Sequence, residues 1–221
     1  MKLNTLKRIQ LTTVKILSAV SLSTILATAV FADGGIRYES TPTGNKCTIT
    51  GASGDSALSH EWTMASPMVG GYIEADEKFP ESALTDAAKA RPTVYVKMPV
   101  RTFKSGKSTM DERMQIMMNA TNFANIEYRL LELKPKSKAG ATGSLEFDAV
   151  GSLSIGGKTL TNTMLVTIEK KATNLVVKGS APVKMTDYGI KPFVSLPVLG
   201  DISIKNEVKI DFEWKVVQKA K

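Results

Sequence analysis

The stretch EVKIDFEWKVV near the end of the chain constrains the fold most. Val208, Ile210, Phe212, Trp214 and Val216 alternate with Glu207, Lys209, Asp211, Glu213 and Lys215. A β-strand turns successive side chains to opposite faces, so this stretch is a strand with one dry face and one wet face. The same period recurs upstream. In TVYVKM, Val94, Val96 and Met98 share a face; in NIEYRLLEL, Ile126, Tyr128 and Leu130 do; in SLEFDAV, Leu145, Phe147 and Ala149 do. Leu160, Met164, Val166 and Ile168 lie together in LTNTMLVTIEK, and Leu175, Val177, Gly179, Ala181, Val183 and Met185 in the strand after it. Turn-forming stretches separate the strands: KPKSKAGATG at 134–143, GG at 156–157 and KKATN at 170–174. Short turns between amphipathic strands predict antiparallel hairpins. KCTIT, EWTMA and VGGYIE add further strands, for about eight in all. So many half-dry strands hide their apolar faces in a sandwich or in a closed barrel, and closure also removes the exposed edges. The reading is therefore an all-β domain.

Two helices interrupt the strands. PESALTDAAKA, 80–90, is short and Ala-rich. KSGKSTMDERMQIMM, 104–118, contains GKST, which invites a phosphate-binding reading. A P-loop also needs Gly five positions before its GK, where this chain has Arg101, and it needs a parallel strand–helix setting. The stretch reads instead as a helix start. Gly106 supplies the turn, Ser108 is the expected cap, and Asp111 completes a Ser-x-x-acid box. Met110, Met114, Met117 and Met118 recur at helical spacing on one face. That face either packs on the sheet or lines a cavity with soft, adaptable side chains.

The chain opens with MKLNTLKRIQLTTVK, which carries Lys2, Lys7, Arg8 and Lys15 and no acid. An apolar run from Ile16 to Phe31 follows, then Val30-Phe31-Ala32 and the first acid, Asp33. This pattern reads as a secretory signal peptide over 1–32. The run is short of the roughly 20 residues that span a bilayer. Removing 32 of the 221 residues leaves 189, with 25 basic and 21 acidic side chains, a net +4. A mixed surface of that charge is no nucleic-acid footprint. The expected location is outside the cytoplasm, in the periplasm. Residues 33–221 form one domain, which can bury about 70% of its unfolded surface without a metal or disulfide. The single Cys47 reads as core.

The order of motifs resembles the YceI-like family. PVRTFKSGKSTMDERM, 99–114, resembles its V-P-V-K-S-L-K-S-G-x-x-x-M-D-x-x-M signature. NIEYRLLEL, GSLSIGGKTLTNTMLVTI, KMTDYGIKP and VKIDFE are similar to its later strands and turns. The front end, ITGASGDSALSHEWTM at 49–64, is similar to a variant Gly-x-Ser-x-x-x-His-x-Trp form. The resemblance implies a lipocalin-like, eight-stranded antiparallel barrel with a long hydrophobic tunnel. It also implies an exported protein that binds polyisoprenoids or other long amphipathic lipids.

The inward-facing candidates for ligand contact are Trp62, Met98, Phe103, Met110, Met114, Ile126, Tyr128, Phe147, Met164, Tyr188 and Phe212. Trp62 and Tyr188 serve equally as core. An anionic headgroup would meet Lys104 and Lys107. Catalysis has little to work with: His60 is the single histidine, expected in a structural hydrogen bond. No metal or cofactor is expected. Asp187 reads as a turn acid and Gly189 as a special backbone angle. The reading is a carrier for a long apolar ligand such as a polyisoprenoid or isoprenoid quinone. The alternatives are a solid-packed structural barrel and a small outer-membrane barrel. A dimer stays open.

Overall fold

The computed structural model describes residues 35–54, 59–86, 90–194 and 203–219. The expected signal peptide lies outside them. Ten strands form one antiparallel sheet in the order β1-β4-β5-β6-β7-β8-β9-β10-β2-β3, and β1 also pairs with β10. The strands are β1 (Ile36–Ser40), β2 (Lys46–Ser53), β3 (His60–Ser66), β4 (Gly70–Ala75) and β5 (Thr93–Pro99). They continue with β6 (Asn125–Pro135), β7 (Ser144–Ile155), β8 (Lys158–Lys171), β9 (Asn174–Lys184) and β10 (Ile204–Gln218).

Ten strands make eight staves because two staves are broken. β1 and β2 lie end to end along β10: Ser40 pairs with Val216, and Cys47 with Phe212. β3 and β4 follow them as the next stave, Ser66 against Cys47 and Ile73 against Tyr38. The closed, eight-stave antiparallel barrel expected from the motifs is the observed fold. Trp214 helps seal the junction. Its indole Nε1 donates to Ser40 Oγ at 2.7 Å, and that hydroxyl donates to the Gly71 carbonyl at 3.1 Å.

The alternation sorts inside from outside as the sequence predicts. Along β10, Val208, Ile210, Trp214 and Val216 are buried. The intervening charges face out, where Lys178 meets Glu213 at 3.4 Å and Lys184 meets Glu207 at 3.8 Å. On β6, a bulge between Leu130 and Glu132 changes the register. It leaves Leu131 65% exposed and returns Leu133 to the core. The two residues between β7 and β8 are Gly156 and Gly157, both at positive φ, as a tight hairpin turn demands.

Of the expected helix over 80–90, Ser82–Thr85 forms α1, and 87–89 lie outside the described residues. The second helix, α2 (Ser108–Met117), is where the methionine spacing places it. Among the described residues, no helix is long and apolar enough to cross a membrane.

The lumen is filled at one end. Tyr38, Phe79, Leu145, Phe147, Leu175 and Val216 are all essentially inaccessible there. Phe147 has no exposed surface, so Phe147→Ala should lower stability by about 3–5 kcal/mol. Urea unfolding followed by circular dichroism measures this as a lower midpoint with an unchanged slope.

Candidate functional site

The other end of the lumen is hollow. Two apolar chambers follow each other along the barrel and share Ile210 as a wall. Each inward row runs from one to the other. On β6, Ile126 lines the first chamber and Tyr128 the second; on β7, Ile155 the first and Leu153 the second. On β9 the corresponding pair is Val183 and Ala181. The outer chamber measures about 370 Å³ and the inner about 80 Å³. Beyond the inner chamber lies the filled end, so the bore is blind where the resemblance implies a long tunnel.

The outer chamber is roofed by α2. Met110, Met114, Met117 and Met118 all line it, so the methionine face does more than pack. Met185, Tyr188, Ile190 and Phe193 form another side, carried by a 3₁₀ turn at Met185–Tyr188. Gly189 ends that turn at φ 74°, the left-handed angle expected of it. His60, Glu61, Lys107 and Arg113 stand on the rim. Burial raises the Tyr188 phenol above its ordinary value, and neighbouring Asp187 adds to the effect.

Three aromatic side chains on the inner wall face glycines. A Cβ on Gly51 would stand 2.2 Å from the Trp62 ring, one on Gly151 2.3 Å from Tyr128, and one on Gly179 2.4 Å from Phe212. No side chain fits there, so each ring occupies the space directly over the glycine backbone. Trp62 Nε1 and Tyr128 Oη are buried without a hydrogen-bond partner among the described residues. Burial alone pushes the Tyr128 phenol far up.

The sequence candidates divide into three groups. Trp62, Met110, Met114, Ile126 and Tyr188 line the outer chamber. Met98, Tyr128, Met164 and Phe212 line the inner one. Phe103 and Phe147 line neither; both have no exposed surface and belong to the packed core. Lys107 is on the rim, but Lys104 is held 3.7 Å from Asp111 and lines neither chamber. The sequence reading missed Arg113, whose guanidinium sits 4.3 Å from the centre of the Phe193 ring.

The start of α2 differs from the expected capping box. Lys107 holds the cap position and makes no side-chain capping bond, and Ser108 is the first helical residue. Asp111 reaches back beyond the helix instead. Its Oδ1 accepts from the Ser105 N–H at 2.8 Å and from the Ser105 hydroxyl at 2.7 Å. The carboxylate thus fills the loop that the GKST string made look like a phosphate cradle. Burial works to raise the Asp111 carboxyl, but these two hydrogen bonds and Lys104 outweigh it and hold it below its ordinary value.

The remaining reactive side chains are set apart from one another. His60 is exposed; among the described residues its backbone carbonyl, not its ring, accepts a hydrogen bond, from Ser53 Oγ at 3.3 Å. Cys47 is fully buried, and burial pushes its thiol up to about 12. Among the described residues, no group of three or more His, Cys, Asp or Glu side chains could hold a metal ion.

The sequence signature of the YceI-like domain matches residues 48–216. No curated protein sequence matches the chain. Among solved structures, BcnA of Burkholderia cenocepacia is similar at 16% identity and TM-score 0.57, covering 77% of this chain and 95% of its own. A polyisoprenoid binding domain from Saccharophagus degradans, described as implicated in plant cell wall breakdown, is similar at 12% identity and TM-score 0.60. That match covers 82% of this chain and 98% of the other.

The Asp111 latch yields a pH dependence. Its folded pKa lies below the unfolded value of about 4. Its contribution is therefore complete above that value and is lost as pH falls through the folded one. Asp111→Ala should lower stability at neutral pH by about 1–2 kcal/mol. Urea midpoints measured against pH should show the gap to wild type closing on the acid side.

Proposed function

The chain belongs to the YceI-like family, and from that premise we propose that it is an exported carrier for a long apolar amphipathic ligand. A polyisoprenoid, an isoprenoid quinone or a similar lipid fits the reading. The observation that carries it is the apolar chamber of about 370 Å³ roofed by four methionines. Small-molecule pockets start at roughly 300 Å³ and are mostly apolar. Each buried methylene contributes roughly 0.8 kcal/mol, so about ten of them supply roughly 8 kcal/mol before ordering costs. Chain length, more than headgroup, then sets affinity. The description of the Saccharophagus domain as polyisoprenoid binding supports the same reading.

Binding without catalysis fits the side chains. His60 stands on an exposed rim, and the Cys47 thiol stays protonated near neutral pH. The outer-membrane alternative runs against the wall chemistry. A membrane barrel turns its apolar side chains outward to lipid, whereas here the outward rows carry Lys178, Lys184, Glu207 and Glu213 in cross-strand pairs. The basic head and short apolar run of the sequence support export. Osmotic shock should release the protein without detergent.

The decisive variant is Met114→Lys, which sets an ammonium in the roof of the outer chamber. The expected outcome is a folded protein that no longer retains lipid, read by native mass spectrometry. An unchanged lipid load in the folded variant removes α2 from the site.

A further inference from the structure

Two buried polar atoms beside the inner chamber have no hydrogen-bond partner among the described residues: Tyr128 Oη, from its wall, and Asn162 Oδ1, which lies behind the lining residues. The register brings them together. A Cβ on Gly151 of β7 would stand 2.4 Å from Tyr128 Oη, and Gly151 is the direct partner of Asn162 on β8. Paired residues in an antiparallel ladder have Cβ positions about 5 Å apart. The phenol and the amide oxygen therefore flank the same glycine. Asn162 shares the inward face of β8 with Leu160 and Met164, and Tyr128 and Met164 line the inner chamber.

Orphaned buried polar groups cost free energy and call for a partner. The neighbouring chamber walls supply none. They are Val94, Val96, Met98, Leu130, Ala149 and Leu153, with similar side chains beyond. The one other polar atom there, the indole nitrogen of Trp214, already donates to Ser40. A buried water typically makes about three hydrogen bonds, and these two atoms would give it only the minimum of two. A hydroxyl on an apolar molecule needs only those two, and its carbon chain uses the apolar walls.

We propose that Tyr128 and Asn162 anchor a hydroxyl group at the buried end of an otherwise apolar ligand. Tyr128 donates to the ligand oxygen, and that oxygen donates to the Asn162 amide oxygen. The ligand then lies oxygen-first in the inner chamber, with its tail under the methionines of α2. The ligand class is a long-chain alcohol, and an isoprenoid alcohol is the form that the carrier reading supplies. The proposal rests on the carrier reading and deepens it.

The test compares geranylgeraniol with the matching C20 hydrocarbon that lacks the oxygen. Both are titrated into lipid-stripped protein. Trp62 and Trp214 line the two chambers and report binding by fluorescence, with native mass spectrometry as a second readout. Wild type should bind the alcohol about tenfold more tightly than the hydrocarbon. Tyr128→Phe, which keeps the ring over Gly151, should erase that preference and leave hydrocarbon binding within about twofold. Asn162→Ala should do the same. Equal binding of the two ligands by wild type, or a preference that survives in both variants, overturns the anchor and leaves the carrier reading standing. Failure of wild type to bind either ligand overturns the carrier reading and the anchor with it.

Discussion

Three rings lie against three glycines, and the hollow half of the barrel depends on that contact. Inward-facing side chains of an eight-stranded barrel normally fill it. Here Trp62, Tyr128 and Phe212 lie close over Gly51, Gly151 and Gly179, where a Cβ would collide with them. The wall is thick with aromatic surface, yet the middle stays open. At the other end no such pairing operates. Leu145, Phe147, Leu175 and Val216 are fully buried there. One barrel is thus solid at its base and hollow under its lid, and the two halves divide the work of stability and binding.

The lid follows the same economy. α2 is a short helix with unsupported propensity, since helices shorter than about 12–15 residues are marginal in water. It is held by the methionines beneath it and by Asp111, which ties its first turn to Ser105 and Lys104. Methionine is unbranched and flexible, so a methionine roof can follow the shape of what lies below. Arg113 and Lys107 on the rim outnumber Glu61 and leave the mouth net positive. The outward rows of the strands pair acids with bases and keep the wall in water.

Much of this was legible in the sequence, for a physical reason. Period-two alternation is a local pattern, and a half-buried strand enforces it at every residue. β5 to β10 could therefore be read directly, and the methionine spacing placed α2. The broken staves could not be read, because the end-to-end alignment of β1 with β2 is set by β10 at the far end of the chain. Asp111 looked like a box partner of Ser108; only the folded loop shows that Ser105 is closer to it. Phe147 looked like a ligand contact because alternation marks a residue as inward, not as filled or hollow. Asn162 carried a signal that was passed over. It shares the face of Leu160 and Met164 in LTNTMLVTIEK, and a lone amide in an apolar row marks a partner still to be found.

The most direct test of the central claim is mass spectrometry of an organic extract from the exported, native protein, beside native mass spectrometry of the intact species. The account predicts one long isoprenoid or lipid-like compound in near-equal amount with the protein, lost together with the matching mass increment on extraction. A clean protein that also refuses added isoprenoids would contradict it, and the chamber under α2 would then be a packing defect with no cargo.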